Sequence, residues 1–472
     1  MQISITSERT STRVQGEGMH ISVVGLGKLG APLAAVLAQR GHDVIGVDSR
    51  LNVVDAINEG RAPIAEPGLE ALITSVRERL RATTDGASAA AATDVSFVIV
   101  PTPSLPSGLF STQYVLEAIE QIGQGLRAKT SYHLVVVTST VAPGTMEREI
   151  APALERASAR VIGSALGLCY SPEFIALGSV IRDMCNPDFV LIGESDARAG
   201  DLLETLHRTV VGERTIARRM NFVNAEVAKI AVNTFVTTKI SYANMLSELC
   251  ERLPGSDVNV VTETIGFDKR IGHRFFKAAL GYGGPCFPRD NAAFVAVARE
   301  HGVDAAIAAA TDIVNRRQVS RLASLVKAQL HDTDRRVAIL GLSYKPDTDV
   351  VEESQGVMLA NCLASDGYAV TVFDPAALET AATFLAASVN SARSAAECLN
   401  SADAAIVTSP WPEFRSIPAV LASMGSPPRV IVDCWRIIDP ALVGSMTRLV
   451  HVGTGEAKQT LTPAPVLQND DR

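Results

Sequence analysis

A chain of 472 residues is too long for a single hydrophobic core and predicts two or three domains. With 47% hydrophobic and 20% charged residues it has an ordinary globular composition, and its net charge of −8 supplies no global basic field. That argues against nucleic acid as a partner and leaves anionic ligands to local sites.

Seven cysteines (Cys169, Cys185, Cys250, Cys286, Cys362, Cys398 and Cys434) are scattered without CxxC or Cys/His metal spacing. Their odd number argues against a complete disulfide framework and for a reducing, cytoplasmic setting with no metal site. Residues 1–18 carry no apolar core of signal-peptide length and read as a flexible leader, with Met19 a candidate start; no membrane-spanning run follows.

From His20, "HISVVGLGKLGAPLAAVLAQRGHDVIGVD" gives a β-branched run, a glycine turn, an apolar helix pattern and a second strand ending in Asp48, a β-α-β unit that opens a parallel sheet. Strand-like runs recur at "VSFVIVPTP", "HLVVVTST" and "GLCYSPE". Residues 19–215 are therefore expected to form a Rossmann-type doubly wound sheet. Residues 221–253 contain no Gly or Pro and predict one long helix that Pro254 and Gly255 stop, the start of a central helical domain over 216–333. "RVAILGLSYKP" and "YAVTVFDP" repeat the opening plan, so 334–455 is expected to be a second Rossmann-like sheet. The polar, proline-bearing stretch 456–472 reads as a flexible tail.

Gly25, Gly27 and Gly30 form GxGxxG between a strand and a helix. The first glycine permits the turn, the second lets backbone approach a pyrophosphate and the third lets helix pack on strand, with the helix N-terminus facing the phosphates. Packing alone is the plainer explanation of the glycines. The strand context and Asp48, whose carboxylate accepts ribose hydroxyls and repels a 2′-phosphate, favour NAD over NADP. Leu29 belongs to the same cofactor-binding turn, whereas Lys28 reads as solvated. Thr102, Thr140 and Glu173 follow strand-like runs, at the carboxyl edge of the sheet where open α/β folds bind ligands, although threonine at such positions is common for structural reasons alone.

Lys229 and Asn233 lie four apart on the long helix and share a face. A lysine among Ala228, Ile230 and Ala231 must snorkel, pair or work in a site. In "GYGGPCFPRD", Gly281, Gly283 and Gly284 precede Cys286, and Arg289 and Asp290 follow it. The glycines allow close approach of a ligand, and nearby cations are expected to lower the thiol from its ordinary pKa of ~8.5. A buried inert cysteine is the default for the other six.

Taken together, "SPEFIALGSVIRDMCNPDFVLIG", "NAEVAKIAVNTFVTTKISYANMLSELCE", "DKRIG", "GYGGPCFPRD" and "LGLSYKPDTD" resemble, in order, the motifs of the UDP-glucose and GDP-mannose dehydrogenase family over residues 20–455. The resemblance implies a four-electron oxidation of a nucleotide-sugar C6 alcohol to a carboxylate with two NAD molecules. Cys286 captures the intermediate aldehyde as a thiohemiacetal that becomes a thioester. By the same resemblance Lys229 and Asn233 stabilise the oxyanion, Glu173 with Thr140 activates the hydrolytic water, and Asp290 positions water or Lys229. Arg289 contacts the cofactor, and Phe275, Gly283, Lys345 and Arg270 of a neighbouring subunit bind substrate. The long helix forms the core of at least a homodimer.

Several positions depart from the family pattern. Leu177 stands where a second glutamate is usual, and Glu352 stands where an arginine approaches the cofactor. Trp435 replaces an arginine that Arg436 then follows, and Pro285 and Arg289 replace the more frequent serine and lysine. UDP-glucose is the expected substrate, with a GDP-mannose or UDP-hexosamine derivative as the alternative. A two-electron hydroxyacid dehydrogenase, which has no need of Cys286, and a catalytically silent nucleotide-sugar binder are the competing readings.

Overall fold

The computed structural model describes residues 18–400 and 402–455, so the expected tail, and the leader apart from Gly18, lie outside the described residues. Two compact units are present. One runs to Pro103 and resumes over Ser111–Glu226; the other takes Ser104–Phe110 and the chain from Val227 onward.

The first unit is built on eight strands: β1 (His20–Val24), β2 (Asp43–Val47), β3 (Leu80–Thr83), β4 (Val95–Val98), β5 (His133–Val137), β6 (Leu166–Tyr170), β7 (Phe189–Glu194) and β8 (Ile216–Met220). Their order is β3-β2-β1-β4-β5-β6-β7-β8, with every neighbouring pair parallel except β6 and β7. The order reverses between β1 and β4, which makes the carboxyl ends of those strands the switch point at which such sheets bind ligands. Strands β4, β5 and β6 are buried throughout, Ser96 and His133 included, as strands covered by helices on both faces are. The strand β8 carries the sheet beyond residue 215.

The turn after β1 is set by backbone crowding. Gly25 sits at φ +99° and donates its N–H to Val47 O at 2.7 Å, while a Cβ on Gly30 would lie 1.7 Å from the Gly25 carbonyl oxygen. Only glycine at both places lets the helix Gly30–Gln39 start this close to the strand.

The second unit contains the 30-residue helix Phe222–Glu251, whose first turn belongs to the first unit, and the helices Val258–Gly266, Phe287–Glu300 and Ala306–Lys327. It also holds a six-stranded parallel sheet: β9 (Arg336–Leu340), β10 (Ala369–Phe373), β11 (Asn390–Ser391), β12 (Ala404–Val407), β13 (Val430–Asp433) and β14 (Arg448–His451), in the order β11-β10-β9-β12-β13-β14. Leu280, Leu322 and Val326 from the helical region share one apolar core with Val337, Ile339 and Val372 of this sheet. The opening turn of the chain recurs here: Gly341, at φ +113°, donates to Phe373 O at 2.8 Å, and a Cβ on Gly356 would lie 2.2 Å from Gly341 O. Among the described residues no helix is long and apolar enough to cross a membrane.

Buried ionisable groups make the first unit sensitive to pH. His133 Nδ1 donates to Thr93 O at 2.9 Å, which leaves Nε2 to accept from Ser96 Oγ at 2.9 Å, and burial, with Lys129 nearby, pushes its pKa down to about 3. His207, bonded to Ser171 Oγ at 3.0 Å, is pushed down to about 4 by burial. Glu226 accepts the Gly144 and Met146 N–H groups at 2.6 and 2.8 Å, yet burial outweighs those bonds and raises it to about 7. Below pH 6.5 the unfolded chain takes up two histidine protons that the folded unit refuses, while the folded unit keeps one Glu226 proton that the unfolded chain releases above pH 4.5. His42, 4% exposed and likewise lowered by burial, adds to the histidine side, so between those limits the unfolded chain binds at least one more proton and stability falls by at least about 1.4 kcal/mol per pH unit on acidification. Urea unfolding followed from pH 6.5 to 4.5 is expected to show that slope, and His207→Gln to flatten it; an unchanged slope in the variant would remove His207 from the account.

Candidate active site

At the switch point of the first unit, a Cβ on Gly27 would meet no atom within 4 Å. Unlike Gly30, then, its missing side chain answers no demand of the protein's own packing and leaves backbone open to a ligand. Leu29 turns its side chain into the apolar core, so only its backbone faces the turn. Asp48, one residue past β2, accepts the Leu26 N–H at 3.0 Å and is clasped by Arg50, whose N–H and Nε reach Oδ1 at 3.0 Å and whose terminal nitrogen reaches Oδ2 at 3.2 Å. Burial alone would raise this carboxyl; the bonds from Arg50 and Leu26 outweigh it and hold it below its ordinary value. A fixed carboxylate beside an uncluttered glycine turn fits the ribose and pyrophosphate of NAD.

Thr102 is buried four residues past β4, and Thr140 lies three past β5. Their loops are tied together by Ser139, whose Oγ accepts the Val100 N–H at 2.9 Å and donates to Val100 O at 2.7 Å. Glu226 pins the far end of the Thr140 loop through Gly144 and Met146. Glu173 stands half-buried three residues past β6. Leu177, at the position of the missing glutamate, packs against the apolar core.

In the second unit Cys286 caps the helix Phe287–Glu300, its carbonyl accepting the Asp290 N–H at 2.8 Å. The thiol is open to solvent. Asp290, 1% exposed, is the centre of the cluster: Asn233 Nδ2 donates to its Oδ2 at 2.7 Å, and Arg289 donates to its Oδ1 from two nitrogens at 3.1 and 3.0 Å. Lys229, one turn before Asn233 on the long helix, is buried to 6% exposure. The structure thus brings Cys286, Lys229, Asn233, Arg289 and Asp290 together.

Two expectations need correction. The thiol is not lowered: crowding by protein atoms and the charge of Asp290 raise its pKa, and the opposing Arg289 and Lys229 do not compensate, with Glu352 adding to the rise. The glycines before it also serve a different approach. Gly284 donates to Glu352 O at 2.8 Å, and a Cβ on Gly283 would lie 2.3 Å from Glu353 O, so the loop is pressed against the chain's own backbone.

The remaining substrate candidates are Arg270, Phe275 and Lys345. Arg270 is 88% exposed and pairs with Asp268 at 2.6 Å; Phe275, at φ +58°, sets its ring edge-on to Phe287 at 6.2 Å. Lys345 is half-buried in the loop after β9. Beside that loop a cleft is lined by Gly281, Gly283, Tyr344, Gln355 and Trp435. Trp435 is fixed by its indole N–H on Thr408 O at 3.0 Å, and Arg436 is spent on Asp257 at 2.7 and 2.9 Å. Asp374, the counterpart of Asp48 in the second sheet, is buried and already accepts from Leu342, Ser343, Trp411, Ala376 and Ala377. It accepts six bonds where Asp48 accepts four, so among the described residues the first sheet is the better fit to a dinucleotide.

Sequence reasoning passed over two residues. Glu226 sits one turn before Lys229 on the same helix, and a carboxylate among apolar neighbours is the same signal that singled out the lysine. Phe110, in "PSLPSGLF", gave no signal at all; its ring lies 5.0 Å from the Arg289 guanidinium.

The comparisons with known proteins agree with this geometry. Residues 19–211, 223–317 and 338–440 match the NAD-binding, central and UDP-binding domains of the UDP-glucose/GDP-mannose dehydrogenase family. The chain is 37% identical over 424 residues to a UDP-glucose 6-dehydrogenase of Haloferax volcanii, a match spanning 89% of this chain and 97% of that one. It is 37% identical over 360 residues to a GDP-mannose 6-dehydrogenase of Pseudomonas putida, spanning 75% and 81%. The solved UDP-glucose dehydrogenase of the hyperthermophilic archaeon Pyrobaculum islandicum superposes with a TM-score of 0.84 at 34% identity, over 96% of this chain and 100% of that one. In sequence and in fold alike, the chain belongs to the UDP-glucose/GDP-mannose dehydrogenase family and is an NAD-dependent nucleotide-sugar 6-dehydrogenase.

Proposed function

We propose that this chain oxidises the C6 alcohol of UDP-glucose to the carboxylate of UDP-glucuronate by a thioester route through Cys286. The observation that carries the reading is the buried Asn233–Asp290–Arg289 cluster beneath an open thiol, with Lys229 one turn from Asn233. UDP-glucose rather than GDP-mannose is supported by the longer match to the UDP-glucose enzyme, 89% of the chain against 75%.

When bound, NAD supplies the hydride acceptor for each of the two oxidations; Gly25, Gly27, Leu29, Gly30, Asp48, Thr102 and Thr140 would hold it, with Arg289 as a further contact. The chain's own residues handle the aldehyde between the two. The Cys286 sulfur bonds to the aldehyde carbon and the carbonyl oxygen takes the thiol proton, giving a thiohemiacetal. Lys229 and the second N–H of Asn233 face the charge that develops on that oxygen. A thiol of raised pKa suits this step, since nucleophile and proton arrive together. After the second oxidation leaves a thioester, Glu173, aided by Thr140, removes a proton from water. The water oxygen bonds to the acyl carbon, the C–S bond breaks, and Cys286 recovers a proton. Phe275, Gly283, Lys345 and a neighbouring subunit's Arg270 would grip the substrate.

The long helix offers the neighbouring subunit a seam. Val227, Phe235, Tyr242, Met245 and Leu249 are all exposed, and from Phe235 onward they recur at steps of seven, three and four along one face. A second copy of this chain, packed helix on helix, is the proposed occupant. Light scattering is expected to give a dimer or larger assembly for the unaltered protein and a monomer for Phe235→Glu; a mass unaffected by the charge would overturn the seam.

Stoichiometry tests the reaction. Purified protein given UDP-glucose and excess NAD is expected to form two NADH per sugar consumed, whereas one NADH per sugar would replace the four-electron reading with a simple alcohol oxidation. Faster turnover of GDP-mannose or a UDP-hexosamine would overturn the substrate and keep the chemistry. In Cys286→Ser, acid production is expected to fall roughly a hundredfold or more while nucleotide-sugar affinity holds. Full acid production by that variant would dismiss the thioester.

A further inference from the structure

Residues 104–110 leave the first unit and return to it, the excursion closed at its base where Ser111 N–H donates to Pro103 O at 2.8 Å. Within it Leu105 N–H bonds Leu109 O at 2.8 Å and Gly108 N–H bonds Leu105 O at 2.9 Å, forming a tight hairpin that Ser104 and Phe110 close as an antiparallel bridge. The hairpin lies against the helix that Cys286 caps: a Cβ on Gly108 would stand 3.4 Å from Ala292 O and from Ala296 Cβ. Phe110 is 5% exposed, and its ring meets the Arg289 guanidinium at 5.0 Å, within the range of a cation–π contact.

We propose that Phe110 is a positioning residue for the oxidation, acting through Arg289 and Asp290 on Asn233. A buried carboxylate must be paired or become neutral, and Asp290 is paired on both sides. The guanidinium uses two nitrogens on Oδ1, which leaves Oδ2 for the amide of Asn233. Because a carboxylate only accepts, this bond fixes which end of the Asn233 amide is nitrogen and leaves its second N–H available to the developing oxyanion. Arg289 has nothing but Asp290 and the Phe110 face to hold its plane among the contacts described, so the ring sets the orientation on which the rest of the relay depends. The inference rests on the proposed role of Asn233 beside Cys286.

The thiol reports on this relay without turnover. The charged groups that act on it are Asp290 and Arg289 on its own helix, Lys229 on the long helix and Glu352 in the loop before the helix Gln355–Ser365, and Arg289 is one of the two that lower its pKa. Alkylation of Cys286 by iodoacetamide, located by peptide mass spectrometry and followed against pH, is therefore the measurement. Phe110→Leu, which keeps apolar volume but removes the ring face, is expected to slow alkylation at neutral pH about threefold, as the loss of one weakly shielded cation–π contact implies, and to move the inflection upward. Phe110→Tyr keeps the face and is expected to behave as the unaltered protein. Arg289→Met is expected to shift the profile further, and the double variant Phe110→Leu/Arg289→Met to match Arg289→Met alone, in alkylation and in kcat. Additive effects in the double variant, or a Phe110→Leu profile equal to the parent's, would overturn the inference. If Cys286→Ser kept full acid production, the thioester reading would fall on its own, whatever the alkylation profiles showed.

Discussion

Asp290 is a carboxylate with almost no access to water, and its placement constrains everything around Cys286. An ion in that position has to be paired or to give up its charge, because the protein cannot replace the lost solvation otherwise. Pairing it takes Arg289 from the adjacent position and Asn233 from the long helix, so the helix that Cys286 caps and the helix that carries Lys229 are tied at one carboxylate. Crowding by protein atoms first and this charge second raise the thiol, which explains why two nearby cations fail to make a standing thiolate. On the proposed route that is an advantage. A thiolate at rest would oxidise or alkylate readily, whereas a thiol that ionises only as it adds to an aldehyde is spared.

The two sheets show how one backbone solution serves two purposes. Gly25 and Gly30 in the first sheet, and Gly341 and Gly356 in the second, make the same close approach of helix to strand, and each turn is closed by an N–H bond to the end of the neighbouring strand. The difference lies in the acid that follows. Asp48 takes three of its four bonds from Arg50, whose side chain is 57% exposed; Asp374 is saturated by backbone, serine and tryptophan donors fixed within the fold. The repeated fold is therefore a framework, and the donors around one carboxylate decide whether the turn takes a dinucleotide.

Much of this was legible in the sequence because it is written in local rules. The glycine turn, the long helix and the second strand–turn–helix each follow from short-range pattern, and Lys229 and Asn233 were legible as a pair because helical spacing places them on one face. What the sequence did not disclose depends on desolvation or on distant partners. The rise in the thiol pKa turns on the protein atoms that crowd Cys286 and on the nearby charge of buried Asp290, which residue types alone do not state. Gly283 and Gly284 of "GYGG" also answer to Glu353 and Glu352, about seventy residues on, a fit that residue types alone do not state. Phe110 was invisible for the same reason: its significance is a ring face 5.0 Å from a guanidinium far away in the chain.

The departures from the family pattern become intelligible on the same terms. Leu177, in place of a glutamate, joins the apolar core, so the loss of a carboxylate there is absorbed by packing rather than left as a gap. Glu352 uses its backbone carbonyl to hold Gly284 and sets its side-chain charge against ionisation of Cys286. Arg436 cannot stand in for the arginine that Trp435 replaces, because both of its bonds to Asp257 and a third to Val452 O already fix it. In its place the cleft beside Tyr344 presents an indole, and next to it the side-chain oxygen of Gln355, buried without a hydrogen-bond partner. At this cleft an aromatic face and an unsatisfied acceptor thus stand where the family pattern has an arginine's charge.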